Sequence, residues 1–249
     1  MCKGEFNPRL GVYVFNARPR AFSPKVSLDM LKPVKGTDYT KISDSRGYPW
    51  KGFYLSAPLT NGNTKLGKGV LSFDLLAVRT CPNCADCREK CYARKNENLR
   101  PQVFNKHLFN TLMALDDLYA LRELIKSQLH YSCKHIVRIH SSGDFFSQAY
   151  LNMWVHIAKW FPNIRFYGYT KTRGIFDFSE ADKTHNLNIV DSYLSDGSIN
   201  FGDDDFLREK CAKFPNLFVC PVTLKTQGAV CMRTCCACLH EKTVAFKEH

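Results

Sequence analysis

The sequence predicts an α/β fold with a mostly parallel sheet, partial (β/α) barrel-like in form, preceded by an irregular basic N-terminal extension. Three observations carry that expectation. From about residue 68 onward, short runs rich in β-branched and aromatic residues alternate with segments whose apolar residues recur every three or four positions. Such alternation implies right-handed crossovers and strands that lie side by side in one direction. Residues 1–67 instead hold Pro8, Pro19, Pro24, Pro33, Pro49 and Pro58 and turn pairs such as Asn61-Gly62, which break any long helix. The expected division is a basic, aromatic-rich extension over 1–67, packed on an α/β cysteine-cluster domain over 68–249.

The elements follow in chain order. Leu71–Thr80 (LSFDLLAVRT) is dense in Leu, Phe and Val and runs straight into a cysteine-rich stretch, so it reads as a strand or a tight approach to a loop. Between Arg100 and His130, Leu108, Leu112, Leu115, Leu118, Leu121, Ile125 and Leu129 mark one or two amphipathic helices that belong to the core. His135–His140 (HIVRIH) reads as a strand. Ser147 is placed to cap a helix over Gln148–Trp160 that turns Leu151, Trp154, Ile157 and Ala158 inward. Ile164–Thr170 and Leu187–Ser192 read as strands, Asp203–Lys213 as a helix with Phe206, Leu207 and Cys211 on one face, and Leu217–Cys220 as a last strand.

The chemistry is concentrated in cysteine. Cys81, Cys84, Cys87 and Cys91 form C-x2-C-x2-C-x3-C, the spacing with which bacterial ferredoxins wrap a short segment around cubane iron–sulfur clusters. Here Tyr92 stands where those proteins place proline, and whether Cys91 joins the same cluster is open. A second group holds Cys220, Cys231, Cys235, Cys236 and Cys238, with one sulfur over in the adjacent pair Cys235-Cys236. Cys231, Cys235 and Cys238 repeat the x3, x2 spacing of the radical S-adenosylmethionine triad, but near the C-terminus; Cys220 would close a four-thiolate shell instead. Thiolates select soft metals, so the expected cofactor is one or two iron–sulfur clusters of the 4Fe-4S kind, with zinc as the alternative. Disulfides would need an oxidising compartment, and the sequence shows no signal-peptide pattern. Cys133 and Cys211 belong to neither group and read as small buried hydrophobes.

The formal net charge of +12 is uneven: residues 1–68 carry 12 Lys and Arg against 4 Asp and Glu, so +8 of it precedes the cysteines. Phe6, Tyr13, Phe15, Phe22, Tyr39, Tyr48, Trp50, Phe53 and Tyr54 are interleaved with those cations. Cations that displace counterions beside rings on which bases stack point to nucleic acid, DNA or RNA, as partner. The alternative is that these aromatics pack a β-structured extension. With 45% hydrophobic and 23% charged residues and no apolar run long enough to span a bilayer, a soluble cytoplasmic protein with no membrane partner is expected.

In parallel sheets function gathers at the carboxyl ends of strands. That rule selects the cysteine run, His140 with Asp144, Lys171 with Arg173, and Cys220, and places both cysteine groups on one rim. His140 and Asp144 are candidates for proton transfer or for hydrogen bonds to a cluster sulfur, against the alternatives of a satisfied strand-end histidine and a turn cap. Lys171 and Arg173 would face a phosphate or carboxylate, or else be solvated charges.

Four stretches, CPNCADCREKCYARK, RIHSSGDFFSQAYLNMW, IRFYGYTKT and CPVTLKTQGAVCMRTCCACL followed by KTVAFKEH, give the chain a resemblance to the Gene product 88 family encoded by phages and plasmids, over roughly residues 68–249. The resemblance implies a phage or plasmid origin, a bacterial cytoplasm and a distant likeness to barrels of the radical S-adenosylmethionine type. It supplies no reaction. The combined expectation is an iron–sulfur protein that engages nucleic acid in replication or regulation of a mobile element. A cluster-dependent enzyme, or a zinc-stapled interaction protein, is the alternative.

Overall fold

Short extended segments before residue 92 and alternating helices and strands after it make up the computed structural model, which describes residues 5–7, 12–14, 24–32, 58–62, 66, 69–85, 87–227, 229, 231, 235–241 and 243–247. In chain order these are β1 (Glu5–Asn7), β2 (Val12–Val14), β3 (Thr60–Asn61), β4 (Val70–Phe73), α1 (Tyr92–Leu99), α2 (Pro101–Asp116), α3 (Leu118–His130), β5 (Ile136–Ile139) and α4 (Gln148–Trp160). There follow β6 (Arg165–Thr170), α5 (Ser179–Lys183), β7 (Leu187–Asp191), β8 (Phe201–Gly202), α6 (Asp204–Lys213), β9 (Phe218–Val219) and β10 (Val244–Lys247). The main sheet has the order β3-β4-β5-β6-β7, antiparallel only between β3 and β4. A parallel bridge between Asp191 and Thr243 carries the run on from β7 to β10, which pairs in parallel with β8 and β9.

The helix boundaries have local causes. Asp117 separates α2 from α3, its carboxylate accepting from the Ala120 N–H at 2.9 Å, so the leucine pattern is cut into two helices. Ser147 caps α4 by accepting from the Tyr150 N–H at 3.2 Å, a contact worth about 1 kcal/mol. Leu151, Trp154, Ile157 and Ala158 of α4 are fully buried. Asn186 ties the far end of α4 by donating to the carbonyls of Ala158, Phe161 and Ile164.

The two faces of the sheet are covered differently. Leu71, Phe73, Val137, Ile139, Phe166, Leu187 and Ile189 point into a core shared with α2, α3 and α4. Val70, Tyr167 and Val190 point to the other side, where they pack with Val244, Cys220 and Cys238. Cys220 and Cys238 therefore lie on the face of the sheet opposite these helices.

Some expectations shift. The strand read over Leu71–Thr80 ends at Phe73, after which the chain turns. Residues 58–62 and Leu66 belong with the sheet: β3 pairs with β4, and Leu59 and Leu66 are buried. Val26, Met30 and Leu31 pack on Leu76, Leu108 and Leu112. Cys133 and Cys211, read as buried hydrophobes, are exposed. On α6 the inward positions are Leu207 and Lys210, whose ammonium pairs with Asp196 at 2.9 Å, and this rotation turns Cys211 outward. The aromatics Phe15, Phe22, Tyr39, Tyr48, Trp50, Phe53 and Tyr54 lie outside the described residues.

His140 ends β5 at φ 64 and is buried, its ring stacked on Tyr150, with Nε2 2.7 Å from the Tyr150 hydroxyl. Burial, seconded by the charge of Arg138, lowers its pKa to about 3. The unfolded chain then binds the proton more readily, so stability is full above pH about 6.5 and declines as pH falls toward 3, by up to about 1.4 kcal/mol per unit. Urea midpoints at pH 7 and pH 5 should differ less for His140→Asn, whose side chain tolerates positive φ, than for the wild type.

Candidate metal centre

The first cysteine group begins where β4 ends. Thr80 donates from its hydroxyl to the Leu76 carbonyl at 2.7 Å, and the Cys81 N–H reaches the Val78 carbonyl at 3.3 Å. Val78 sits at φ 68, a left-handed conformation that a β-branched side chain avoids and that costs about 1–3 kcal/mol. Glu97 holds this turn from α1: its Oε1 accepts from the Ala77 N–H at 2.9 Å and the Ser142 hydroxyl at 3.2 Å and lies 2.7 Å from His107 Nδ1. The Cys87 N–H donates to the Cys84 carbonyl at 3.3 Å, which folds Cys84, Cys87 and their neighbours into a tight turn. Cys91 is the N-cap of α1, with extended backbone, so the last cysteine of the run stands at the start of that helix.

Cations attend this group. The Arg88 guanidinium is 3.6 Å from Cys84 Sγ. Burial pushes the Cys81 and Cys87 thiols up, Asp144 and the neighbouring thiols push the same way, and Lys171 opposes them. Thiols that raise one another's pKa are close enough for their charges to repel, and a bound cation relieves that repulsion.

The second group packs on the sheet face opposite the helices. Cys220 follows β9, its N–H bonded to the Ala245 carbonyl at 2.9 Å, and the backbones of Cys231 and Cys235 pair in an isolated parallel β-bridge. Cys238 sits in the 3-10 turn Ala237–Leu239, against β6 and β7. Its Sγ accepts from the Tyr169 hydroxyl at 2.6 Å, while Asn188 of β7 holds its carbonyl at 3.0 Å. Burial raises the Cys238 thiol to about 12, with Cys231 and Cys220 adding to the rise and Tyr169 and Arg138 opposing it. Cys231 is raised by burial, with Cys220 and Cys235 adding to it. The thiols that perturb one another fall into two sets, Cys81, Cys84, Cys87 and Cys91 in one and Cys220, Cys231, Cys235 and Cys238 in the other. Each of the eleven described cysteines is a free thiol. Among the described residues, no three Cys, His, Asp or Glu side chains are drawn together to hold one metal ion.

A polar row crosses the sheet beneath the second group. The register aligns Ser72 of β4, Arg138 of β5, Tyr167 of β6 and Asn188 of β7. A parallel sheet normally buries apolar residues on both faces, so this row is exceptional. Sequence reasoning passed over it, although an arginine in the middle of HIVRIH and the alternating tyrosines of IRFYGYT were visible signals.

The polar residues expected at the rim have other tasks. The Asp144 carboxylate accepts from the N–H groups of Phe145 (2.7 Å) and Lys171 (2.9 Å) and from the Thr170 hydroxyl (2.7 Å), which joins the loop after β5 to the end of β6. His140 lies in the core behind that loop. Arg173 forms a two-pronged ion pair with Asp182 at 2.9 and 3.0 Å and donates to the Ile189 carbonyl, so it is neither a rim ligand nor a solvated charge. Lys171 and Asp144 both act on the first cysteine group, with opposite signs, through Cys81 and Cys87.

Fold and site together define an α/β protein whose parallel sheet carries two sets of thiols, one at a strand end and one on the face opposite the helices. The chain belongs to the Gene product 88 family, whose family model matches residues 57–216. That match includes the first cysteine group and ends before Cys220. The chain is similar to the Gene 88 protein of Mycobacterium phage D29, 28% identical over 199 residues, covering 67% of this chain and 81% of the relative. It is also similar to the Gene 88 protein of Mycobacterium phage L5, 28% identical over 191 residues, covering 65% of this chain and 78% of the relative. No solved structure matches. No helix among the described residues is long and apolar enough to cross a membrane.

Proposed function

We propose that this chain is an iron–sulfur protein of a mobile element, with one centre on Cys81, Cys84, Cys87 and Cys91 and a second on Cys220, Cys231, Cys238 and one of the Cys235-Cys236 pair. The observation that supports it is the mutual electrostatic pressure of the thiols within each group, which combines with cationic or hydroxyl partners already aimed at the sulfurs: Arg88 at Cys84 and Tyr169 at Cys238. Soft, crowded thiolates suit iron and sulfide chemically. A cluster also holds its ligands farther apart than one zinc ion does, whose bonds of about 2.3 Å draw four sulfurs close together. When bound, such a centre supplies an electron store or a covalent knot that ties the C-terminal stretch to the sheet. The protein's own residues shield it: Tyr167, Tyr169 and Val244 pack around the second group.

The test is iron and acid-labile sulfide in full-length protein purified without oxygen. Both in comparable amounts are expected; zinc without sulfide would make the chain a zinc-stapled protein instead. The nucleic-acid half of the proposal rests on the +8 charge carried by residues 1–68. Retention of single- or double-stranded DNA or RNA on a gel at low salt, lost steeply as salt rises, is the expected result. Indifference to all of these polyanions would remove that half and leave the metal reading standing.

A further inference from the structure

Two buried donors on the strand face toward the second cysteine group lack a well-formed hydrogen bond among the described residues, although the Cys231 thiol stands beside the Tyr167 hydroxyl. The Nε of Arg138 is shut off from solvent without such a bond, and so is the hydroxyl of Tyr167, a residue 1% exposed. They are neighbours in the sheet register, on the strand face that packs against Cys220, Cys231 and Cys238. Their surroundings are those of a site rather than of a core. The Arg138 guanidinium lies 5.4 Å from the centre of the Tyr169 ring, and the Tyr169 hydroxyl already donates to Cys238 Sγ at 2.6 Å. Arg138 and Tyr167 both act electrostatically on Cys231, and Arg138 also acts on Cys238. Arg138 makes no ion pair with a carboxylate among the described residues; Asp74, the nearest in its field, is occupied by the Ser142 N–H and the Ser72 hydroxyl at 2.9 and 2.8 Å.

A guanidinium N–H and a phenol hydroxyl buried without a well-formed hydrogen bond are each expensive, by about 1–3 kcal/mol. Such groups persist where an anion completes them. The adjacent candidates for that anion are the sulfurs of Cys231 and Cys238, which are neutral as thiols and become negative when they ligate metal.

We infer that Arg138 and Tyr167 are positioning residues for a negatively charged, thiolate-ligated centre on the C-terminal cysteines, the guanidinium supplying counter-charge and both side chains donating to its sulfur atoms. Tyr169 is the third member, already engaged. This rests on the iron–sulfur reading above and adds the sign of the centre's charge and the side chains that answer it.

The inference separates from a merely structural role by the sign of a stability change. Full-length wild type, Tyr167→Phe and Arg138→Met are compared by thermal melting in two forms, as purified anaerobically with metal and after removal of metal with a chelator. Metal content of the wild type is measured first. Without metal, Tyr167→Phe removes a hydroxyl that lacks a well-formed hydrogen bond and should melt at the wild-type temperature or above it. With metal, the same variant should melt several degrees below the wild type. Arg138→Met should show the same reversal, more strongly, and should release its metal to the chelator at least tenfold faster than the wild type. Equal loss in both forms for both variants would make these residues ordinary parts of the core and overturn the inference. So would loaded variants that match the loaded wild type. Wild type that holds no metal at all fails the iron–sulfur reading first and takes this inference with it. Because Tyr167→Phe deletes one buried oxygen, its folding does not depend on the outcome for Arg138→Met.

Discussion

Gly143→Ala is expected to lower the unfolding free energy by about 2–5 kcal/mol, the sum of a left-handed conformation forced on alanine and an overpacked contact. Gly143 has φ 87, and a Cβ built there would stand 2.6 Å from Thr80 Oγ1 and 2.7 Å from Leu75 Cβ. Both neighbours belong to the turn that leads into Cys81. The glycine therefore lets the SGDFF loop lie directly on the root of the first cysteine group, in register with the Leu75 N–H bonded to the Ser142 carbonyl at 3.0 Å. Displacing it moves Thr80, whose hydroxyl closes the turn on Leu76. Urea denaturation is the measurement, with Gly69→Ala as control: a Cβ at Gly69 meets nothing within 4 Å. A midpoint for Gly143→Ala as close to wild type as that of Gly69→Ala would mean the two loops do not touch.

Single serine substitutions should unload the two centres independently. Cys84→Ser is expected to lose about half of the bound iron and sulfide, since two cubane centres of equal size share the total, and Cys238→Ser the other half. The double variant should hold almost none. The expectation follows from geometry: Cys84 is buried in the loop between β4 and α1, Cys238 is buried beside Tyr169, and the thiols that perturb one another fall into these two sets. Cys133→Ser and Cys211→Ser, both at exposed positions, should leave the metal content unchanged. If Cys84→Ser emptied both groups while the protein remained folded, a single shared centre would replace the two proposed here.

Much of the fold was legible because its elements announce themselves by period and cap. Ser147, the inward stripe Leu151, Trp154, Ile157 and Ala158, and the strands around Val137, Phe166 and Ile189 all lie where periodicity puts them. The weak points were short or context-dependent. α1 follows directly on the cysteine run and buries only Ala93 and Glu97, so it has no apolar stripe to find. β10 spans four residues and is identified by its partners β8 and β9, which lie 45 and 26 positions upstream in register. The site was half legible. Cysteine spacing marked both groups, and strand-end logic correctly located the first. In the second group it reaches Cys220, which follows β9, but not Cys238, which packs on β6 and β7. It also favoured Arg173, which pairs with Asp182, and passed over the polar row of Arg138 and Tyr167, because strand periodicity does not say which face of the sheet is left for the cysteines.

X-ray absorption at the iron edge, on full-length protein purified without oxygen, tests the central claim most directly. A first shell of sulfur alone with a second shell of iron at bonding range is the predicted spectrum, because thiolate and sulfide then surround each metal. A first shell of oxygen or nitrogen without iron neighbours, or no iron in the protein at all, would contradict it.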